Sequence, residues 1–252
     1  MSQISLALQL YTVRDHLAKD YVRTLRKVKE IGYDFVELAG APPFETPQTK
    51  AHLEDIGLSP AGIHIGLNEL ESRLDHWIEY CKTLGMENLV CPYLPADRRE
   101  TREDWLAVAG LLDEMGARCR DQGIRLSYHN HSFEFVKFDG QYALDMLLQT
   151  ASAENVCAEI DTYWIQHGGA DPVDYVRKYA GRIPILHIKD MADDEKRSFA
   201  EIGNGILDWP AIHQAALEAG VQYYAVEQDV CPGDSLDSAR MSCEFATKLI
   251  GG

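Results

Sequence analysis

Seven short apolar stretches of this chain end in residues able to bind cations or move protons. LALQLY closes on Gln9 and Tyr11, FVEL holds Glu37 and GIHI holds His64; SYHNH carries His129 and His131, and AEID carries Glu159 and Asp161. ILHIKD carries His187 and Lys189, and YYAVEQD carries Glu227 and Asp229. Side chains alternate along an extended strand, so each of these last four pairs shares one face. Carboxylates and imidazoles are expensive to bury unpaired. Their recurrence in one phase on consecutive stretches therefore describes a divalent cation site built from His129, Asp161, His187 and Glu227. Two carboxylates offset the +2 charge, and imidazoles favour Mn²⁺, Fe²⁺, Co²⁺ or Zn²⁺ over Ca²⁺, with Mg²⁺ kept beside them. His64 and His131 read equally as substrate contacts or structural hydrogen-bonding groups. Glu159, one pleat deeper than Asp161, reads either as a carboxylate fixing a histidine tautomer or as a paired core group.

Such residues need a scaffold that brings strand ends together. Eight β-rich runs recur along the chain: Ile4–Leu10, Asp34–Leu38, Ser59–Ile65, Asn88–Tyr93, Ile124–His129, Val156–Asp161, Ile183–Ile188 and Tyr223–Glu227. Amphipathic helical stretches separate them, among them DYVRTLRKVKEIG and DWLAVAGLLDEMGARCRDQG. Asp171-Pro172 and Asp208-Trp209-Pro210 have the form of an N-cap followed by an early helical proline. Gly32, Gly85, Gly123, Gly181 and Gly220 fall just past helical runs, where a left-handed residue is needed. The alternation predicts one (β/α)8 barrel over residues 1–252, with its active face at the C-terminal strand ends. In the seventh strand, Ile183, Ile185, His187 and Lys189 should point inward.

The remaining features mostly exclude. With 24 Lys and Arg against 40 Asp and Glu, the 252-residue chain carries a formal charge of −16. That surplus repels phosphate backbones and anionic membranes, so no nucleic-acid or membrane partner is expected. The six cysteines form no C-x-x-C pair and read as reduced thiols of a cytoplasmic protein. No leader and no apolar run of spanning length is found. There is no G-x-x-x-x-G-K-S/T, G-x-S-x-G or H-E-x-x-H motif. The segment EIGNGILD reads either as a backbone cradle for a phosphate or as a tight turn feeding the cap at Asp208. Arg98, Arg99 and Arg102 have the form of a solvated helix start, and His52, His76, His167 and His213 receive no role.

The segments LALQLYTVRD, GYDFVELAG, GIHIGL, LSYHNHSFEF, AEIDTYWIQHGGADPVDYVRKYAGRIPILHIKDM, EIGNGILDWPAI and YYAVEQD together resemble the sugar phosphate isomerase/epimerase group of the xylose isomerase-like TIM barrels. The likeness runs nearly end to end. It implies a metal quartet of Glu, Asp, His and Glu on the last four strands, which falls on His129, Asp161, His187 and Glu227. His129 departs from that pattern and leaves the site one negative charge short. The resemblance implies a metal-dependent isomerase or epimerase acting on a sugar or keto-sugar through an enediolate. Glu227 is then the base, and His129 or His131 returns the proton or protonates a departing hydroxyl. Lys189 would steady oxyanion charge, His64, Glu37 and Tyr11 would hold hydroxyls, and Trp164 would wall the sugar ring or simply pack. YHNH also resembles the histidine-rich strand of inosose dehydratases, so a lyase acting on a keto-cyclitol or keto-sugar is the alternative. A non-catalytic metal- and sugar-binding barrel is a third reading. The multi-zinc set of the DNA-repair endonuclease branch cannot be assembled. A homodimer stays open.

Overall fold

In the computed structural model, which describes residues 4–251, eight parallel strands close into a ring. They are β1 Ser5–Gln9, β2 Phe35–Ala39, β3 Ser59–His64, β4 Asn88–Cys91, β5 Arg125–His129, β6 Val156–Asp161, β7 Ile185–Ile188 and β8 Tyr223–Val226. Each pairs with its chain neighbours, and β8 returns to β1 through Ser5 opposite Tyr223 and Leu8 opposite Val226. Helices lie between successive strands, as the alternation requires.

The ends of the strands differ from the sequence reading for local reasons. Leu10 leaves β1 because the Gln9 side chain accepts the Tyr11 amide and starts a 3₁₀ turn over Leu10–Val13. Pro92 lacks an amide donor and stops β4 before Tyr93. Pro184 likewise delays β7 to Ile185, although its carbonyl still accepts from Gln222 and Tyr223. Ile183 thus precedes the strand.

The helix starts follow their caps. Asp171 accepts the Val173 amide at 2.7 Å and Asp208 accepts that of Ala211 at 3.1 Å. Thr101 and Asp104 form a reciprocal capping box at the head of Arg102–Asp121. Gly57, Gly85 and Gly220 close helices with positive φ. No helix among the described residues is long and apolar enough to cross a membrane. Cys81, Cys91 and Cys119 are free and buried, and burial pushes each thiol up to about 12.

The loop Glu201–Asp208 is not a phosphate cradle. Asp190, fully buried just after β7, takes its donors. Its Oδ2 accepts the amides of Gly203 and Gly205 and the indole N–H of Trp209, at 2.9, 3.1 and 2.7 Å. Its Oδ1 accepts the amides of Met191 and Leu207, at 2.8 and 3.2 Å. The protein supplies its own anion. Gly203 has φ +88°, and a Cβ on Gly205 would overlap Asp190 itself.

Candidate active site

Register sets the levels of the polar groups. His129 sits opposite Glu159, Asp161 opposite His187, and Gln9 opposite Glu37. Inward-facing residues of adjacent strands therefore meet inside the ring. Glu227, one residue beyond β8, continues the phase of Ala225, which pairs with His187.

The result is two tiers of carboxylates with imidazoles between them. His187 Nε2 lies 2.7 Å from Glu37 Oε2 and 3.1 Å from Glu159 Oε2, while its Nδ1 lies 2.9 Å from Glu227 Oε2. His129 places Nδ1 3.1 Å from Glu159 Oε2 and Nε2 3.9 Å from Asp161 Oδ2. His64 Nε2 contacts Glu159 Oε2 at 2.7 Å, and Gln9 Nε2 donates to Glu37 Oε2 at 2.9 Å. Glu37 can thus take an N–H from His187, while His129 Nδ1 stands close to Glu159 without hydrogen bonding to it. His187 Nδ1 then faces Glu227 and His129 Nε2 faces Asp161, and at His187 this is the arrangement in which a carboxylate orients a metal-ligating imidazole.

The residues fit a divalent cation. The donor atoms of His129, Asp161, His187 and Glu227 lie within 4.8 Å of one another. Asp161 Oδ1 is fixed by the Trp164 amide at 2.8 Å, whereas its buried Oδ2 has no hydrogen-bond partner. Lys189 Nζ sits against that oxygen at 3.1 Å, and also 2.6 Å from Glu227 Oε2 and 3.1 Å from Asp229 Oδ1. A second set, His64, His129, Glu159 and His187, also has metal-compatible spacing; it shares His129 and His187 with the first, and its other two members, His64 and Glu159, are hydrogen-bonded to each other at 2.7 Å.

The electrostatics divide the histidines. Burial works against charge on His64 and His187, yet Glu37 and Glu159 dominate; His64 rises to about 10 and His187 well above its ordinary value. Burial, reinforced by neighbouring cations, lowers His129 well below that value and His131 to about 3. Burial raises Asp161 to about 6 against the pull of Lys189 and His187. Glu227 shifts the other way: despite burial, Lys189 and His187 lower it and hold it ionised.

Above the carboxylates opens a cavity of about 480 Å³, bordered by Tyr11, His64, Tyr93, His129, His131, Trp164, Lys189, Glu227 and Asp229. Most of the expected substrate contacts face it. Glu37 does not: it is fully buried below the cavity, and its Oε2 is occupied by Gln9 and His187. The expectation that Glu37 holds substrate hydroxyls is therefore corrected to a role in orienting imidazoles. Trp164 both borders the cavity and packs against Tyr163 and Phe199, so the two readings of it coincide. The arginines are engaged elsewhere. Arg98 pairs with Glu71, Arg99 lies over Phe133, and Arg14 donates to the carbonyls of Tyr11 and Asp229.

Three supporting residues were missed by the sequence reading. Asn130 Oδ1 accepts the Asp161 amide at 3.0 Å, and Thr162 Oγ1 bridges the backbone of His187 and Lys189. Glu134 accepts Tyr128 O–H at 2.7 Å and the His131 amide at 2.9 Å. A glutamate inside the aromatic run SFEF was the available signal for it. Burial raises Glu134 to about 8, opposed by these hydrogen bonds. An acid whose pKa rises on folding makes the folded state the better proton binder. Its contribution is full below the ordinary carboxylate range and is lost as pH climbs from there through about 8, by up to about 1.4 kcal/mol per pH unit. Between about pH 5 and 8 the wild-type melting temperature should accordingly fall more steeply than that of Glu134→Gln. Parallel curves would show that Glu134 is ionised throughout.

The structure is a closed parallel barrel whose C-terminal mouth gathers histidines and carboxylates spaced as a metal ion would require. The chain belongs to the xylose isomerase-like TIM barrel family, whose model matches residues 25–247. An inosose dehydratase of Geobacillus kaustophilus is 24% identical over 94% of this chain and 89% of its own length. A crystal structure of a sugar phosphate isomerase/epimerase from Parabacteroides distasonis superposes with a TM-score of 0.84 at 24% identity, covering 98% of each chain. The zinc-bound IolI protein superposes with a TM-score of 0.79 at 16% identity, again over 98% of each.

Proposed function

We propose that this chain is a divalent-metal-dependent enzyme that isomerises or epimerises a sugar or keto-sugar by removing a proton from the carbon beside the carbonyl. The observation that carries this reading is the convergence of donor atoms of His129, Asp161, His187 and Glu227 within 4.8 Å of one another, with the His187 imidazole oriented from below by Glu37. A cation held by His129, Asp161, His187 and Glu227 would supply Lewis-acid polarisation of the substrate carbonyl. Glu227, kept ionised by its neighbours, is the base that accepts the carbon-bound proton. His129 and His131 are neutral, and one of them carries the proton onward. Trp164 and Tyr11 flank the ring, and Lys189 and His64 supply donors to substrate oxygens.

A second reading, elimination of water from a keto-cyclitol or keto-sugar, is favoured by His129. Epimerisation calls for bases on both faces of the substrate, and an imidazole of depressed pKa replaces one of the two carboxylates. The alignment with an inosose dehydratase points the same way. Both readings share the first proton abstraction. Metal-loaded protein should therefore exchange substrate carbon-bound hydrogen with deuterated water across a panel of keto-sugars and inososes, and chelator-treated protein should not. Exchange without an ultraviolet-absorbing product supports isomerisation or epimerisation. An enone or dione chromophore supports elimination. No exchange with any substrate leaves a metal- and sugar-binding barrel without turnover.

A further inference from the structure

We propose that Lys189 is a built-in cation that occupies the metal's carboxylates until an ion displaces it, and that Asp229 is the carboxylate that keeps the displaced ammonium in the cavity. This inference rests on the metal reading above. Lys189 is 1% exposed, yet its ammonium lies 3.1 Å from Asp161 Oδ2 and 2.6 Å from Glu227 Oε2. A zinc-like ion would sit about 2.0–2.2 Å from those same oxygens. The two positive charges would compete for one place.

The lysine's surroundings allow only its side chain to give way. Its backbone is pinned at both ends to Thr162: the amide donates to Oγ1 at 3.0 Å, and the carbonyl accepts from it at 2.9 Å. Any movement of the ammonium therefore falls to rotations about the bonds of its four-carbon stem. Of the three carboxylates around the ammonium, Asp229 alone is outside the metal set, at 3.1 Å, and it borders the substrate cavity. An ion taking Asp161 and Glu227 leaves the ammonium with Asp229. With the metal held by those two carboxylates, Lys189 would face the substrate beside Asp229.

Mn²⁺ titration of chelator-treated protein by calorimetry tests this. Lys189→Met should bind Mn²⁺ at least about 10-fold more tightly than wild type, because the competitor is gone. Lys189→Arg, which keeps the charge, should bind no more tightly than wild type. Asp229→Asn should weaken binding several-fold when Lys189 is present and much less in the Lys189→Met background. Equal effects of Asp229→Asn in both backgrounds would mean a simple attraction between Asp229 and the ion and overturn the displacement. Equal affinity of wild type and folded Lys189→Met would overturn the competition itself. If Lys189→Met does not fold by circular dichroism, an unweakened Asp229→Asn overturns the proposal. Absence of Mn²⁺ binding in every variant overturns it together with the metal reading.

Discussion

Glu227→Gln should lower the rate of substrate carbon–hydrogen exchange by about 10³-fold or more, within the range that positioned general bases contribute. The amide is nearly isosteric with the carboxylate but cannot accept the proton. It also removes a negative charge from a pair that Lys189 and His187 now share. Metal affinity should therefore fall too, and exchange must be measured at saturating metal so that only the lost base is read. Glu227→Asp, which keeps the charge but retracts the oxygen, should recover metal binding more fully than exchange. Wild-type exchange in metal-saturated Glu227→Gln would remove Glu227 from the role of base. Exchange lost equally in Glu227→Gln and Glu227→Asp, with metal retained in both, would fit a base whose position matters to within a bond length.

Asp190→Ala should cost about 3–5 kcal/mol of stability, because it strands N–H donors, several of them buried, that lose their side-chain acceptor. The donors are the amides of Met191, Gly203, Gly205 and Leu207 and the indole of Trp209. For a chain of this size that corresponds to a melting temperature lower by on the order of 10 °C. Asp190→Asn retains one acceptor oxygen and should fall between the two. Lys189 is the next residue along, so metal affinity is the useful control: a loop held only by packing would leave both properties untouched. An Asp190→Ala protein with wild-type stability would mean that water can replace the carboxylate at this loop.

The charge of −16 has a dual use in this molecule. Much of it solvates the outer helices, where pairs such as Arg118 with Asp75 are exposed and contribute little. A smaller share is buried in the ring, where Glu37, Glu159, Asp161 and Glu227 are held by imidazoles and one lysine. Total charge separates nucleic-acid binding from small-molecule chemistry, but it does not distinguish these two populations.

Local chemistry was enough to predict the barrel and much of the site. Strand and helix periods differ, caps such as Asp171 act on their own helix, and alternation alone put His129, Asp161, His187 and Glu227 in one phase. Strand ends were less legible, since Pro92 and Pro184 trim β4 and β7 by removing single donors. Partnership was not legible at all. Nothing in the order of residues says that Glu37 lies beneath His187, 150 positions away, rather than facing a substrate. Nor does it say that Asp190 consumes the amides of a glycine loop that otherwise resembles an anion site. Those outcomes depend on which groups the closed ring brings within about 3 Å, because an isolated buried charge is untenable and must take whatever partner the fold presents. The sequence by itself determined which side chains point inward and at what level; only the tertiary structure decided which of them are spent on one another and which remain open to a cation and a substrate.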